Sequence, residues 1–147
     1  MKILVDADSC PKAARELILR RAAKLNLRLI FAANRPIPGA EDIMEICSSA
    51  ENSADDRIVE LAENGDITVT RDIPLAKRLI EKNVKVIDDR GRVITADNIN
   101  EILSLRNFMV GLADNGLGIE RTANYGRKEL KSFADSLDRI ITRGAAG

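Results

Sequence analysis

Hydrophobic and polar positions along the chain follow two alternating patterns. Short apolar or β-branched runs, typical of strands buried on both faces of a sheet, recur between polar segments. These runs lie at residues 2–6, 27–33, 43–47, 66–70, 84–88 and 92–95. The pattern therefore predicts a sheet of short strands.

Segments with the helical period separate these runs. Residues 11–25 place Ala14, Leu17 and Ile18 on one stripe, and Pro11 suits a first helical turn. The same period predicts helices at 53–63, 74–82, 98–112 and 126–142. Strands alternating with helices favour an α/β fold, in which three layers (α/β/α) enclose a mostly parallel central sheet. Ligands of such folds bind at the carboxyl ends of the strands.

The composition fits a single domain spanning residues 1–147, with the helix at about 126–142 packed on it. A chain of 147 residues with 45% hydrophobic and 31% charged positions is large and apolar enough to bury a core. No segment reads as a linker or a repeat. No apolar run approaches the length of a membrane span, and no signal peptide is recognisable, so we expect a cytoplasmic protein without membrane contact.

The chain contains no histidine. This excludes Ser-His-Asp and Cys-His triads, histidine proton shuttles and almost all zinc enzymes. The two cysteines, Cys10 and Cys47, have no metal-binding spacing and no histidine base, so neither is expected to be a nucleophile. Carboxylates are then the obvious groups for polar chemistry, and clustered carboxylates bind hard cations such as Mg²⁺ or Mn²⁺.

Charge is balanced overall but unevenly distributed. Residues 12–35 contain seven Lys or Arg residues and one Glu, whereas residues 41–66 contain nine acidic residues and one Arg. An acidic middle between basic flanks suits a metal site beside a phosphate-binding surface. Solvated helix faces would produce the same charge pattern.

Acidic residues recur where strands end or helices begin. Asp6 and Asp8 end the first strand, Asp55 and Asp56 open a helix, and Asp72 ends another strand. Parallel strands would bring all of them to one edge of the sheet.

Helix capping is the alternative role for most of these acids. Asp8 and Asp72 stand where N-caps are expected, and Asp56 completes a capping box with Ser53. Asp6 is harder to assign to capping, because it directly follows an apolar strand. An ionised carboxylate there is costly unless it is paired or bound to metal.

The combined sequences ADDRIVELA and ITVTRD resemble the metal-binding core of the PIN and 5′-nuclease superfamily. The whole chain resembles the uncharacterised YaiI/YqxD family of bacterial proteins. That resemblance rests on VDADSCPK, NSADDRIVELA, VTRDIPLA, DRGRVIT and FADSLDRIITR.

The resemblance implies a PIN-like fold and a nuclease-like site. Asp6, Asp55 and Asp72 would be catalytic, and Asp6, Asp8, Asp55, Asp56 and Asp72 would ligate Mg²⁺ or Mn²⁺. The substrate would be nucleic acid, with RNA favoured. Its backbone would be positioned by Arg35, Arg71 or Arg90. With 3% aromatic residues and no Trp, the grip on substrate should be electrostatic rather than based on stacking.

Two ligand positions of the better-known nucleases differ here. Ser53 stands where those enzymes have Glu, and Pro74 stands where they have a second Asp. Asp8, and either Asp88 or Asp89, are the candidates to replace those ligands.

Two other functions fit the same residues. ILVDADS resembles the first motif of haloacid-dehalogenase phosphatases, with Asp6 as nucleophile, Asp8 as general acid and Lys77 or Lys82 following. Against this, the chain continues as helix where that family inserts a flap. A non-catalytic module that binds nucleic acid or protein would retain the acids as helix caps.

Overall fold

The structure is a computed structural model that describes residues 1–33, 44–46, 53–114 and 125–146. The strands of these ranges are β1 (Lys2–Asp6), β2 (Arg28–Ala33), β3 (Met44–Ile46), β4 (Ile67–Val69), β5 (Lys85–Ile87) and β6 (Val93–Ile94). The helices are α1 (Lys12–Leu25), α2 (Ser53–Leu61), α3 (Ile73–Ile80), α4 (Ile99–Asp114) and α5 (Arg127–Ala146). In the part of the chain described, no helix combines the length and apolar character needed to cross a membrane.

The strands form one sheet in the order β3-β2-β1-β4-β5-β6. Neighbouring strands from β3 to β5 run parallel, and β6 pairs antiparallel with β5. The chain moves outward from β1 through β2 to β3 and then returns to place β4 on the other side of β1. The strand order therefore reverses between β1 and β4, which is where open α/β sheets bind ligands.

Alternating side chains of β1 point into two separate cores. Ile3 and Val5 are fully buried in a cluster that includes residues of α1 and α5. Leu4, also fully buried, lies in a second cluster with residues of α2, α3 and α4. Helices thus cover both faces of the sheet, and the predicted α/β/α fold with a mostly parallel sheet is confirmed.

Two of the predicted strands, 66–70 and 84–88, are shorter in the structure because an Asp at one end serves a turn. Asp66, predicted to begin a strand, instead accepts hydrogen bonds from Lys2 Nζ at 2.6 Å and from the Glu63 backbone N–H at 2.8 Å. Asp88, predicted to end another, accepts backbone N–H bonds from Arg90 and Arg92, each at 2.9 Å. The last helix is longer than predicted and ends at Ala146.

Candidate functional site

Asp6 lies at the carboxyl end of β1 beside the switch in strand order. Its side chain is nearly buried, with 8% of the residue exposed. Asp6 Oδ2 accepts hydrogen bonds from Ser9 Oγ at 3.0 Å and from Thr70 Oγ1 at 3.1 Å. Burial raises the pKa of Asp6; these two bonds oppose the rise, while Asp72 and Asp8 add to it.

Asp72 lies at the end of the neighbouring strand β4 and is tied to Asp6 through Thr70. The Asp72 backbone N–H donates to Thr70 Oγ1 at 3.0 Å. Asp72 Oδ1 accepts the Leu75 backbone N–H at 3.0 Å and so caps α3. The predicted cap is confirmed, and the capping carboxylate also faces the site.

Asp55 in the first turn of α2 completes the cluster of acids. Burial raises its pKa to about 7, and the nearby charges of Asp72 and Asp6 add to this rise. A side-chain hydrogen bond with Asp72 raises the pKa further, whereas Arg78 opposes the shift. Asp6, Asp55 and Asp72, called the acidic trio below, therefore crowd negative charge at the β1–β4 edge.

The other two predicted ligands are placed differently. Asp56 is exposed, and its Oδ1 atom pairs with Arg78 Nη1 at 2.9 Å. Asp8 is exposed in the short 3₁₀ turn after β1, where its charge raises the pKa of Asp6. Helix α1 has no side-chain N-cap, so the prediction that Asp8 caps it is wrong: the 3₁₀ turn and Pro11 lead into the helix instead.

The acidic trio has the donor atoms of a divalent-ion site, but it does not form a ready-made site in this structure. Within the described residues, no three carboxyl or thiol groups form a set able to hold a metal ion. The donor chemistry does fit Mg²⁺ or Mn²⁺, since both prefer carboxylate oxygens. The mutual repulsion that raises the pKa of Asp55 is also the kind that a bound cation relieves.

A cleft of about 540 Å³ opens over two members of the trio. Its lining combines acidic, basic and apolar side chains: Asp6, Ser9, Arg71, Asp72, Ile73, Arg92, Ile102, Leu105 and Met109. The two arginines supply the positive charge, and α4 supplies an apolar wall. Such a cleft suits a ligand that has both an anionic and an apolar part.

Of the two predicted nucleic-acid contacts within the described residues, Arg71 lines this cleft. Arg90 instead lies 3.8 Å from Glu129 of α5, and Arg35 lies outside the described residues. Arg92, which was not predicted, takes the second basic position, with its Nε atom 3.2 Å from Asp88 Oδ2. The DRGRVIT motif indicates basic residues in this turn, but it does not indicate which of its two arginines faces the cleft.

Asp88 and Asp89, the candidates to replace a missing ligand, have partners outside the acidic trio. Asp88 Oδ1 holds the turn between β5 and β6 through the backbone N–H groups of Arg90 and Arg92. The Asp89 side chain is 3% exposed, and its Oδ2 atom lies 3.8 Å from Arg71 Nε. Ser9, to which sequence reasoning gave no role, and Thr70 hold Asp6 by hydrogen bonds.

Cys10 is buried beside this edge. Burial raises the pKa of its thiol to about 12, with the nearby charge of Asp89 as the next cause. The thiol is therefore protonated at neutral pH, which agrees with the expectation that it is not a nucleophile. Cys47 lies outside the described residues.

Comparison with known proteins identifies relatives across nearly the whole chain. The sequence profile described as "Uncharacterized BCR, YaiI/YqxD family" matches residues 4–143. A UPF0178 protein of Treponema denticola is 47% identical over 146 residues, covering 97% of this chain and 93% of the relative. A UPF0178 protein of Pseudomonas aeruginosa is 42% identical over 146 residues, covering 97% and 91%. No solved structure matches.

Proposed function

The chain belongs to the uncharacterised YaiI/YqxD family, and from this premise we propose that it is a divalent-metal-dependent nuclease. Its substrates would be nucleic-acid phosphodiesters, with RNA favoured. The observation that carries the proposal is the acidic trio at the switch in strand order, beside a cleft lined by Arg71 and Arg92. Such a substrate would be met in the cytoplasm.

The acidic trio would hold Mg²⁺ or Mn²⁺. When bound, such an ion activates water for attack and stabilises charge on the scissile phosphate. Ser9 and Thr70 keep Asp6 oriented by their bonds to its Oδ2 atom. The bond from Thr70 Oγ1 to Asp6 Oδ2 joins the ends of β1 and β4, and the Asp72 backbone N–H donates to the same hydroxyl oxygen.

The cleft walls would bind the polymer. Arg71 and Arg92, both about half exposed, would contact phosphate oxygens, and such contacts are salt-sensitive and independent of sequence. Ile102, Leu105 and Met109 of α4 would pack against a nucleotide base. A base available for such packing is unstacked, which favours single-stranded substrate.

The test is cleavage of end-labelled single- and double-stranded RNA and DNA in Mn²⁺. Wild-type protein should cleave single-stranded RNA best, and Asp6→Asn should abolish cleavage. Asp56→Asn is the matched control, because the Asp56 carboxylate pairs with Arg78 instead. Equal cleavage by wild-type and Asp6→Asn proteins would mean contamination and would refute the proposal.

A binding module without catalysis is the second candidate. It is favoured by the finding that no three potential ligands form a metal-holding set in the described part of the chain. This alternative predicts that wild-type protein binds single-stranded RNA without cutting it, and that Asp6→Asn leaves binding intact.

The phosphatase alternative gains less support from the structure. Asp72 caps the N-terminus of α3, whereas Lys82 lies just beyond the C-terminus of the same helix. The Lys82 Nζ atom donates to the Val59 carbonyl. Lys77 is exposed. The phosphatase alternative would be supported if the wild-type protein hydrolysed p-nitrophenyl phosphate and Asp6→Asn did not.

A further inference from the structure

The Asp89 carboxylate is buried without a hydrogen-bond partner. Its side chain is 3% exposed, and neither carboxylate oxygen accepts a hydrogen bond from any described residue. A buried carboxylate in this condition costs several kcal/mol unless a compensating charge lies near. We therefore expect a compensating positive charge close to the Asp89 carboxylate.

Arg71 supplies a compensating charge. Its Nε atom lies 3.8 Å from Asp89 Oδ2, too long for a hydrogen bond but close enough for an ion pair. Burial raises the pKa of Asp89, and Arg71 is the first of the influences that lower it. The Arg71 side chain is 52% exposed and lines the cleft next to Asp72.

The backbone around Asp89 is held firmly. Its carbonyl accepts a hydrogen bond from Tyr125 Oη at 2.6 Å. Two positions further on, Gly91 has φ +90°, and a Cβ atom built there would lie 2.4 Å from the Ser132 carbonyl oxygen. The turn is thus pressed against α5, and these contacts fix the position of the Asp89 backbone.

We propose that Asp89 is a positioning residue that holds Arg71 at the cleft wall with its guanidinium directed toward a substrate phosphate. A guanidinium has five N–H donors, so an ion pair on its Nε side leaves the others available. Without Asp89, Arg71 would be free to pair with Asp72, which lines the same cleft. Arg71 would then neutralise a carboxylate needed for the cation. This inference rests on the proposed nuclease function.

A double-mutant cycle tests the inference, using wild-type, Asp89→Asn, Arg71→Ala and the double variant. The first readout is the dissociation constant of a fluorescein-labelled single-stranded RNA in EDTA, and the second is kcat/KM for its cleavage in Mn²⁺. Asp89→Asn should weaken both by about tenfold, the size expected when one oriented contact to a charged group is lost. In the Arg71→Ala background, Asp89→Asn should change neither the dissociation constant nor kcat/KM. Glu129→Gln is the control, since Glu129 pairs with Arg90 of the same turn at 3.8 Å.

The outcomes separate this inference from the function on which it rests. Wild-type protein that neither binds nor cleaves RNA would overturn both. Wild-type activity that Asp89→Asn leaves unchanged, or lowers equally with and without Arg71, would overturn the role of Asp89 alone. In the free protein, the Arg71 Nε–H resonance should shift in Asp89→Asn and stay in place in Glu129→Gln, and an unmoved resonance in Asp89→Asn would also overturn it.

Discussion

The Thr70 hydroxyl donates a hydrogen bond to Asp6 Oδ2 at 3.1 Å, joining the ends of two parallel strands. Thr70 is 2% exposed, so water cannot replace this bond. Thr70→Val keeps the shape of the side chain but removes the donor, which should cost about 1.5 to 3 kcal/mol. We expect Mn²⁺ affinity to fall about tenfold. Thr70→Ser, which retains the hydroxyl, should preserve the affinity in isothermal titration calorimetry, and equal losses in both variants would contradict this role.

The raised pKa of Asp55 makes the metal-free protein less stable as pH increases. The folded protein holds this proton up to about pH 7, whereas the ordinary pKa of an aspartate carboxyl is 3.8. The stability from this group is therefore fully present below about pH 4 and is lost as pH rises through 7. Solvent screening limits the loss to the order of 1 to 2 kcal/mol.

Urea denaturation in EDTA at pH 5 and pH 8 measures this effect. Asp55→Asn should reduce the pH dependence, and Asp56→Asn should leave it unchanged. Adding Mn²⁺ to the wild-type protein at pH 8 should restore its stability, because an ion that binds only the folded state stabilises that state. An unchanged pH dependence in Asp55→Asn would show that Asp55 does not hold the proton.

Lys2 and Asp66 form a buried ion pair at the opposite edge of the sheet, with Nζ and Oδ2 2.6 Å apart. Burial opposes ionisation of Asp66, but the hydrogen bonds from Lys2 and Glu63 prevail and hold its pKa below the usual value. Asp66→Asn leaves Lys2 buried without its counter-ion and should cost about 3 kcal/mol. Glu63→Gln removes a partner that is 81% exposed and should cost under about 1 kcal/mol. Equal losses of unfolding free energy would contradict this assignment.

Two glycines with similar backbone angles should respond differently to Ala. Gly65 has φ +89° and Gly91 φ +90°, but only Gly91 would bring a Cβ atom against Ser132. Gly65→Ala carries only the left-handed strain of about 1 to 2 kcal/mol. Gly91→Ala adds overpacking and should cost about 3 kcal/mol or more. Thermal unfolding compares them, and similar melting temperatures would show that α5 does not press on this turn.

The strand-end acids could be predicted from the sequence because their position depends on local pattern. Asp6 is the last residue of β1, and Asp72 comes shortly after β4, so their edge of the sheet is fixed once the strands are known. The sequence pattern does not indicate which of Asp55 and Asp56 belongs to the acidic trio. Adjacent helical residues point about 100° apart, and burial of Ile58 and Ala62 sets the rotation of α2.

The basic side of the cleft was harder to predict because it depends on contacts far apart in the chain. The positive φ at Gly91 turns the backbone between Arg90 and Arg92, and only Arg92 reaches the cleft. The Asp89 backbone is fixed by Tyr125, 36 residues away. No local pattern indicates that bond.

Isothermal titration of Mn²⁺ into wild-type, Asp55→Asn and Asp56→Asn proteins tests the central claim most directly. These variants change neighbouring carboxylates of one helix, of which only Asp55 belongs to the acidic trio. We predict that wild-type and Asp56→Asn proteins bind the ion alike and that Asp55→Asn loses at least about tenfold in affinity. Equal affinities in all three, or no binding by the wild type, would contradict a metal site at the β1–β4 edge.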